Sequence, residues 1–454
     1  MIRPLPKVKD VKSLSDLRPI SILPTLSKVV EKIVYRQIYD YLIDCKIMPD
    51  KQSGFRKGHS TTSALSVILD DTIRSIDKGE ITLLTMLDFS KAFDTIDHSL
   101  LYTKLMYYGF DDTSVSFFKS YFNHRSQQVI INNAASNLGT ITSGVPQGSI
   151  LGPILFTIYT ADLLESTKNS QTRAFADDLQ IYTHFKPQDF ENACSGISDD
   201  LNIIANKSQQ MNLKLNGNKC SVICFARKKD QETIDKKIKI SLNNDQLKLV
   251  NTVKNLGLII DSDLRFKNHV SGIIKKSYVA LKLLYSNYQI LNFKLRKKLC
   301  ETLVLPFLHY CLVIYYPCLD QITKYRLQKI QNNCCRFIFK LKKYDHVTVK
   351  IKELAWLKIE KLYQYHLAVF TYRMFSTSTP SYLRDKFHSR RSTYNINTNL
   401  RHSFKLSMPK FYTSIFQRSL THNIVKLYNS VDLFQENVSV NNFRKKIKSY
   451  FLAN

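Results

Sequence analysis

Apolar residues recur at helical spacing over 26–43, where Val29, Val30, Ile33, Val34 and Ile38 would share a face and Ser27 could cap. A turn-rich loop over 52–59 leads to a second predicted helix over 60–78, with Ser60, Thr61 and Thr62 supplying capping hydroxyls. Residues 81–89 form a short apolar run with one carboxylate, Asp88, at its end, the pattern of a strand buried on both faces. A glycine-proline turn over 143–149 opens into an apolar helix over 150–164. Residues 173–182 place Asp177 and Asp178 between two strand-like flanks, which predicts a hairpin with an acidic tip. Further strands are expected over 221–225 and 253–260, and after Phe266 the pattern is almost wholly helical with basic faces.

Composition changes the picture in two ways. With 44% hydrophobic residues over 454 positions the chain can bury a real core, which excludes wholesale disorder. Its formal net charge of +29 points to a polyanionic partner. The charge is unevenly spread. Up to Asp261 there are 32 basic and 28 acidic side chains, and after it 34 and 9. Aromatic and basic residues interleave over 285–298 and 363–375, as a nucleic-acid groove requires, although any single cluster would also suit a solvated helix face.

Nine cysteines, with no secretory leader at the first residues, read as free thiols in a reducing compartment. Cys300, Cys311, Cys318, Cys334 and Cys335 lack zinc-finger spacing and lie among apolar helical residues, so burial is expected for them. The longest uncharged apolar stretch, 303–317, falls short of a membrane span and is read as a buried helix. No membrane partner is expected, and the nucleus and cytoplasm are the expected location.

The candidate chemistry rests on carboxylates. Asp88 ends one buried strand and Asp177-Asp178 sit at the turn of a hairpin; if these strands are neighbours, acids 89 residues apart converge, and like charges at that range repel unless cations lie between them. Two Mg²⁺ ions, with Mn²⁺ as the alternative, are hard cations suited to such oxygen ligands. A two-metal site clamps the attacking and leaving oxygens of an in-line phosphoryl transfer. An Asp-Asp pair alone is ordinarily a solvated turn. Here the apolar flanks and the lone acid ending a second buried strand argue against that.

At these residues the sequence resembles the reverse transcriptases of non-LTR retrotransposons. Phe175-Ala176-Asp177-Asp178 is similar to their FADD box, residues 87–94 (LDFSKAFD) to the box of the same sequence, and residues 143–156 (SGVPQGSILGPILF) to the box between them. Residues 17–21 resemble the RPIS element, 52–61 the QxGFRxxxST element, 215–220 the LNxxKT box and 256–261 the LGxxxD box; in the basic tail, Leu327-Gln328-Lys329-Ile330-Gln331 and Pro380-Ser381-Tyr382-Leu383 resemble the jockey-like and CR1-like branches more weakly.

The resemblance implies a right-hand polymerase of α+β class. Fingers and a palm with an antiparallel sheet would occupy 1–261, a helical thumb 262–345, and a basic, mainly α-helical C-terminal domain 346–454. It implies Asp88 and Asp177 as principal metal ligands with Asp178 as a weaker member, Phe93 as a steric gate against a ribose 2′-OH, and Gln147 and Gly148 as the turn against the incoming nucleotide. Arg18 and Arg56 would contact triphosphate or template, and Lys219 would protonate the leaving pyrophosphate. For Phe93 an ordinary core aromatic, for Gln147 and Gly148 a plain strand-to-helix turn, and for Arg18, Arg56 and Lys219 ordinary surface charges, remain open.

The implied partners are an RNA template, a DNA primer, their RNA–DNA hybrid and dNTPs. The chain begins abruptly near the start of the fingers, so it reads as N-terminally truncated, with any endonuclease supplied by a missing upstream domain or another chain. The rival readings are an inactive remnant that binds RNA or DNA, and an RNA-templated RNA polymerase.

Overall fold

The computed structural model describes residues 1–453 except 133, 236, 244 and 390–404. Its principal elements, in chain order, begin with β1 (Ile2–Pro6), β2 (Leu17–Ser21), α1 (Thr25–Asp44), α2 (Thr61–Lys78) and β3 (Ile81–Leu87). There follow α3 (Gly152–Leu164), β4 (Gln171–Phe175), β5 (Asp178–Phe185), α4 (Phe190–Gln210), β6 (Ser221–Phe225) and β7 (Lys248–Leu249). The later part is helical, with α5 (Lys267–Ser286), α6 (Gln321–Phe339), α7 (Ile359–Thr377) and α8 (Val440–Ala453) as its longest members.

The centre is a five-stranded sheet in the order β7-β6-β3-β5-β4, antiparallel except for the β6/β7 pair. Side chains alternate across a strand, and here the alternation sorts residues into two cores. Leu83, Leu87, Ile181, Val222 and Cys224 join one core, built with α3, α4 and the end of α1. Leu84, Tyr182, Ile223 and Phe225 point into the other, which combines α2 with apolar residues from Val253 to Phe451. The sheet is therefore buried on both faces, as the unbroken apolar run of β3 requires. The second core crosses the expected boundary at residue 261, because α2 packs as part of it.

Several expectations need correction. The helix over 26–43 forms, but Val29, Val30 and Ile33 are exposed while Glu31, Ile38, Tyr39 and Leu42 are buried. Ser27 does not cap this helix; its hydroxyl donates to the Pro24 carbonyl. The strand expected over 253–260 is a hairpin, Thr252–Asn255 against Leu258–Asp261, turning at Leu256 and Gly257 with positive φ. The buried helix expected over 303–317 is interrupted at Cys311, whose φ of 53° splits it into Leu305–His309 and Leu312–Tyr315. Among the described residues no single helix is long and apolar enough to cross a membrane. All nine cysteines are free, and eight are buried.

The Ser60 cap forms as expected, its hydroxyl accepting the Ser63 N–H at 3.1 Å. Three aspartates of α2 hold the C-terminal part. Asp77 accepts the backbone N–H groups of Tyr412 and Thr413, at 2.9 and 2.6 Å. Asp70 accepts the Thr421 N–H and hydroxyl, and Lys386 reaches both Asp70 (3.1 Å) and Asp71 (2.5 Å).

Candidate active site

Pairing in the sheet sets the geometry of the acids. Leu179 of β5 lies opposite Leu87 of β3, so continuing the antiparallel register by one residue brings Asp178 opposite Asp88. Asp177 precedes β5 in the turn from β4, next to Ala176, whose φ of +58° lies in the left-handed region. The three carboxylates thus meet at one end of the central strands. Asp178 opens β5 rather than forming the tip of the hairpin; Ala176 and Asp177 are the tip.

Electrostatics agrees with that convergence. Burial raises the Asp177 carboxyl above the usual range, and the Asp88 charge adds to this while Arg18 opposes it. Asp178 is raised to about 6 by burial, then by the charges of Asp177 and Asp88. Three negative groups therefore share one site with less positive charge than they need. One cation is in contact: the Lys219 ammonium lies 3.1 Å from Asp88 Oδ2. The segment carrying it is fixed locally, since the Asn216 N–H donates to the Asp88 carbonyl and Lys214–Leu215 pairs with Phe89–Ser90.

Among the described residues no group of three or more His, Cys, Asp or Glu side chains is placed so that, as it stands, it could hold a metal ion. The donor chemistry nonetheless suits divalent cations: carboxylate oxygens only, mutually repelling, just after β3, in the turn before β5 and at the start of β5. Asp88, Asp177 and Asp178 are the residues that would hold them.

The turn over 144–149 lies beside the segment that follows Asp88. The Gly144 and Val145 N–H groups donate to the carbonyls of Ile96 and Phe93, and Gln147 Nε2 donates to Asp94 Oδ1 at 2.8 Å. Phe93 is half-buried, stacked on Phe156 at 4.4 Å and edge-on to Phe55. On the other side the Ser21 N–H, at the end of β2, donates to the Gln147 carbonyl at 2.7 Å. Gly148 has φ +117°, and a Cβ there would press on the Ser21 carbonyl, so only glycine fits without strain. The strand carrying Arg18 is thereby bound to the turn carrying Gln147 and Gly148.

Arg56 is placed differently. Its guanidinium donates to the Pro49 carbonyl at 2.7 Å and reaches Asp50, so it is committed to its own loop.

Two residues without an expected role prove central. Gln52 is fully buried, and its side-chain amide pairs with the Ala176 peptide: Oε1 accepts the Ala176 N–H at 2.9 Å and Nε2 donates to the Ala176 carbonyl at 3.1 Å. Glu31, 3% exposed, accepts the Ile150 and Leu151 N–H groups at 2.6 and 3.3 Å, anchoring the start of α3 and with it the end of the Gln147 turn. A buried amide or carboxylate must find partners, but these lie more than a hundred positions away in sequence. The in-sequence signal was a polar residue inside an otherwise recognisable box for Gln52, and inside an apolar helical pattern for Glu31.

The pattern described as "Reverse transcriptase (RNA-dependent DNA polymerase)" matches residues 5–260, over half of the chain. The chain belongs to the reverse transcriptase family. It is 26% identical over 81% of its length to the probable RNA-directed DNA polymerase from transposon BS of Drosophila melanogaster, covering 41% of that protein. To the corresponding X-element protein of the same fly it is 28% identical, over 71% of this chain and 35% of that one. To the RNA-directed DNA polymerase from mobile element jockey it is 26% identical, over 66% and 33%. The chain thus spans about a third to two fifths of these relatives. The likeness to non-LTR reverse transcriptases drawn from the seven boxes is borne out. Apo telomerase of Candida tropicalis matches over 78% of this chain and 59% of its own, at 11% identity and a TM-score of 0.39, too slight to build on.

Proposed function

We propose that the chain is an RNA-directed DNA polymerase of a non-LTR retrotransposon, extending a primer 3′-OH with dNTPs on an RNA template. The observation that carries this reading is the register of β3 against β5, which sets Asp88 opposite Asp178 beside Asp177. In this reading residues 1–261 are fingers and palm, 262–345 the thumb and 346–454 a basic helical C-terminal domain, the last two sharing a core with α2.

Asp88, Asp177 and Asp178 would hold two Mg²⁺ ions, with Mn²⁺ able to replace them. Bound there, the ions would lower the pKa of the primer hydroxyl and neutralise charge on the leaving pyrophosphate. The protein's share is positioning. Phe93, backed by Phe156, would close the space a ribose 2′-OH needs. Gln147 and Gly148 would present a turn flat enough for the nucleotide to approach. Arg18, already within the field of Asp177, would face phosphate, and Lys219 would exchange Asp88 for the leaving pyrophosphate. Arg56 would act by shaping the loop that holds Gln52. The basic C-terminal half would grip the RNA–DNA hybrid, and an endonuclease would come from a further domain or another chain.

The test is primer extension on poly(rA)/oligo(dT) with dTTP and Mg²⁺. The full chain is expected to incorporate dTMP and the Asp177→Asn variant is not. Failure of the folded wild-type chain to incorporate, with hybrid bound, would overturn the reading in favour of a binding remnant.

A further inference from the structure

The segment holding the acidic turn is itself held from the far end of the chain. Residues 51–53 run along the outer edge of β4: the Ala174 N–H donates to the Lys51 carbonyl at 2.9 Å and the Ser53 N–H to the Ala174 carbonyl at 2.8 Å. Gln52 between them pairs with the Ala176 peptide, and Gly54 lies so close that a Cβ would overlap the Ala176 nitrogen. The Ser53 side chain points the other way, and its hydroxyl meets Tyr382 Oη at 2.9 Å, across 329 residues of sequence.

Ser63 donates its hydroxyl to the Ser60 carbonyl and its Oγ lies 3.4 Å from Tyr382 Oη, so the Tyr382 hydroxyl bridges Ser53 and Ser63. The tyrosine ring is fixed as well. The Arg173 guanidinium, on β4, lies 4.9 Å from its centroid, and His59 packs at 5.6 Å. Thr379 fills the space beside Gly58 that a side chain there would take. Lys386, four residues on, is tied to Asp70 and Asp71 of α2. This polar cluster is assembled from 51–63, Arg173 and 379–386.

We infer that Tyr382 is a positioning residue: through Ser53 and Gln52 it sets the Ala176–Asp177 turn, so that the C-terminal part determines the geometry of the acids as well as holding nucleic acid. The inference rests on the polymerase reading for its catalytic consequence, and on the hydrogen bonds alone for its mechanical one. Tyr382→Phe keeps the ring and its packing but leaves the buried Ser53 hydroxyl without its partner.

Two measurements on the full chain test it. In amide hydrogen exchange, Tyr382→Phe is expected to speed exchange of the Ala176 N–H about tenfold, one lost hydrogen bond's worth, while β6 exchanges as in wild type. Unchanged exchange at 174–176 would overturn the inference, whether or not the chain polymerises. In single-nucleotide extension, kcat per active molecule, calibrated by burst amplitude, is expected to fall about tenfold for Tyr382→Phe and about 10²-fold for Gln52→Met, with KM for dTTP unchanged. Ser53→Ala should reproduce the Tyr382→Phe value, and the double variant should be no worse than either alone. A reduced burst amplitude at full kcat would mean a purely structural role and would overturn the catalytic part. A wild-type chain that fails to polymerise while Tyr382→Phe still speeds exchange would sink the polymerase reading and leave the latch standing.

Discussion

Two groups of aspartates, one in α2 and one at the end of the central sheet, face opposite fates. In α2, Asp70 is fully buried, and burial works to raise its carboxyl, yet Lys386 and the Thr421 donors together hold it below the usual range. At the end of the sheet Asp177 and Asp178 are raised, with each other and Asp88 as neighbours. The contrast separates two uses of one side chain. An acid given a cation and N–H donors joins chain segments hundreds of residues apart. Acids held together without enough cations carry unmet negative charge, and the proposed site for divalent ions would answer it. Asp88 stands between the two, since Lys219 already answers part of its charge.

The sharpest break of the comparison is chemical. Asp88→Asn and Asp177→Asn keep side-chain shape while removing a negative oxygen from the site. Each is expected to lower primer extension by ~10³-fold or more, the several kcal/mol a metal contact contributes. Binding of an RNA–DNA hybrid should be nearly unchanged. Extension within tenfold of wild type for either variant would return that aspartate to a structural role.

The same substitution type in α2 should act on stability. Asp70→Ala leaves the Lys386 ammonium with Asp71 only and strands the Thr421 donors. A loss of about 3 kcal/mol is expected in chemical denaturation at pH 7, the scale for breaking a buried pair. The sign with pH is fixed by the lowered carboxyl. Its contribution is complete above the ordinary aspartate value of 3.8 and disappears as pH falls through the lower folded value. Wild type and Asp70→Ala should therefore converge in stability well below pH 4. A difference that stays constant from pH 7 to pH 2.5 would contradict the pairing.

How much of this could be read beforehand depended on range. The β3 run, the acidic hairpin and the Ser60 cap are local patterns, and each stands within three residues of its expected place. The convergence of Asp88 with Asp177 and Asp178 was legible because both boxes carried apolar strand flanks. Periodicity over 26–43 gave the helix but not its buried side: Val29, Val30 and Ile33 are apolar and exposed, and the polar Glu31 is the residue turned inward. Leu256-Gly257 gave no strong turn signal inside an apolar run, so two strands read as one. Gln52 and Tyr382 were out of reach for a different reason. Their partners are set by tertiary contact, and nothing in an uncharged amide or a lone tyrosine tells which backbone it will meet. Asp70, Asp71 and Asp77 did carry a signal: acids amid the apolar residues of α2 must find donors or cations.

On the other side of β3, sugar selection offers a smaller effect. Phe93→Val removes the ring that stacks on Phe156 and opens space where the nucleotide's 2′ position would lie. Incorporation of rUTP relative to dTTP should rise roughly tenfold, within what a pocket gains or loses by a single hydroxyl. An unchanged ratio, with extension intact, would make Phe93 a packing residue that supports Phe55 and Phe156.

The smallest effect tests the unmet charge itself. With metal chelated, the Asp178 carboxyl titrates near 6 in the folded chain and near 3.8 when unfolded. Between those values the folded state binds a proton that the unfolded state has released, so stability falls as pH rises through the window, and the cost is complete above pH 6. Asparagine cannot ionise. Asp178→Asn should therefore be more stable than wild type at pH 7 by about 1 kcal/mol, a modest figure because the side chain reaches solvent and water screens its neighbours. The gain should vanish below pH 4. It should also shrink when Mg²⁺ is added at pH 7, since the cations would compensate the same repulsion that the substitution relieves. Asp70→Ala runs the opposite way in pH, which makes the pair a direct reading of the two fates: one carboxylate whose charge holds the fold together, one whose charge the fold tolerates. A gain from Asp178→Asn that is equal at pH 4 and pH 7 would show that Asp178 is not repelled by Asp88 and Asp177, and would remove it from the set proposed to hold the ions.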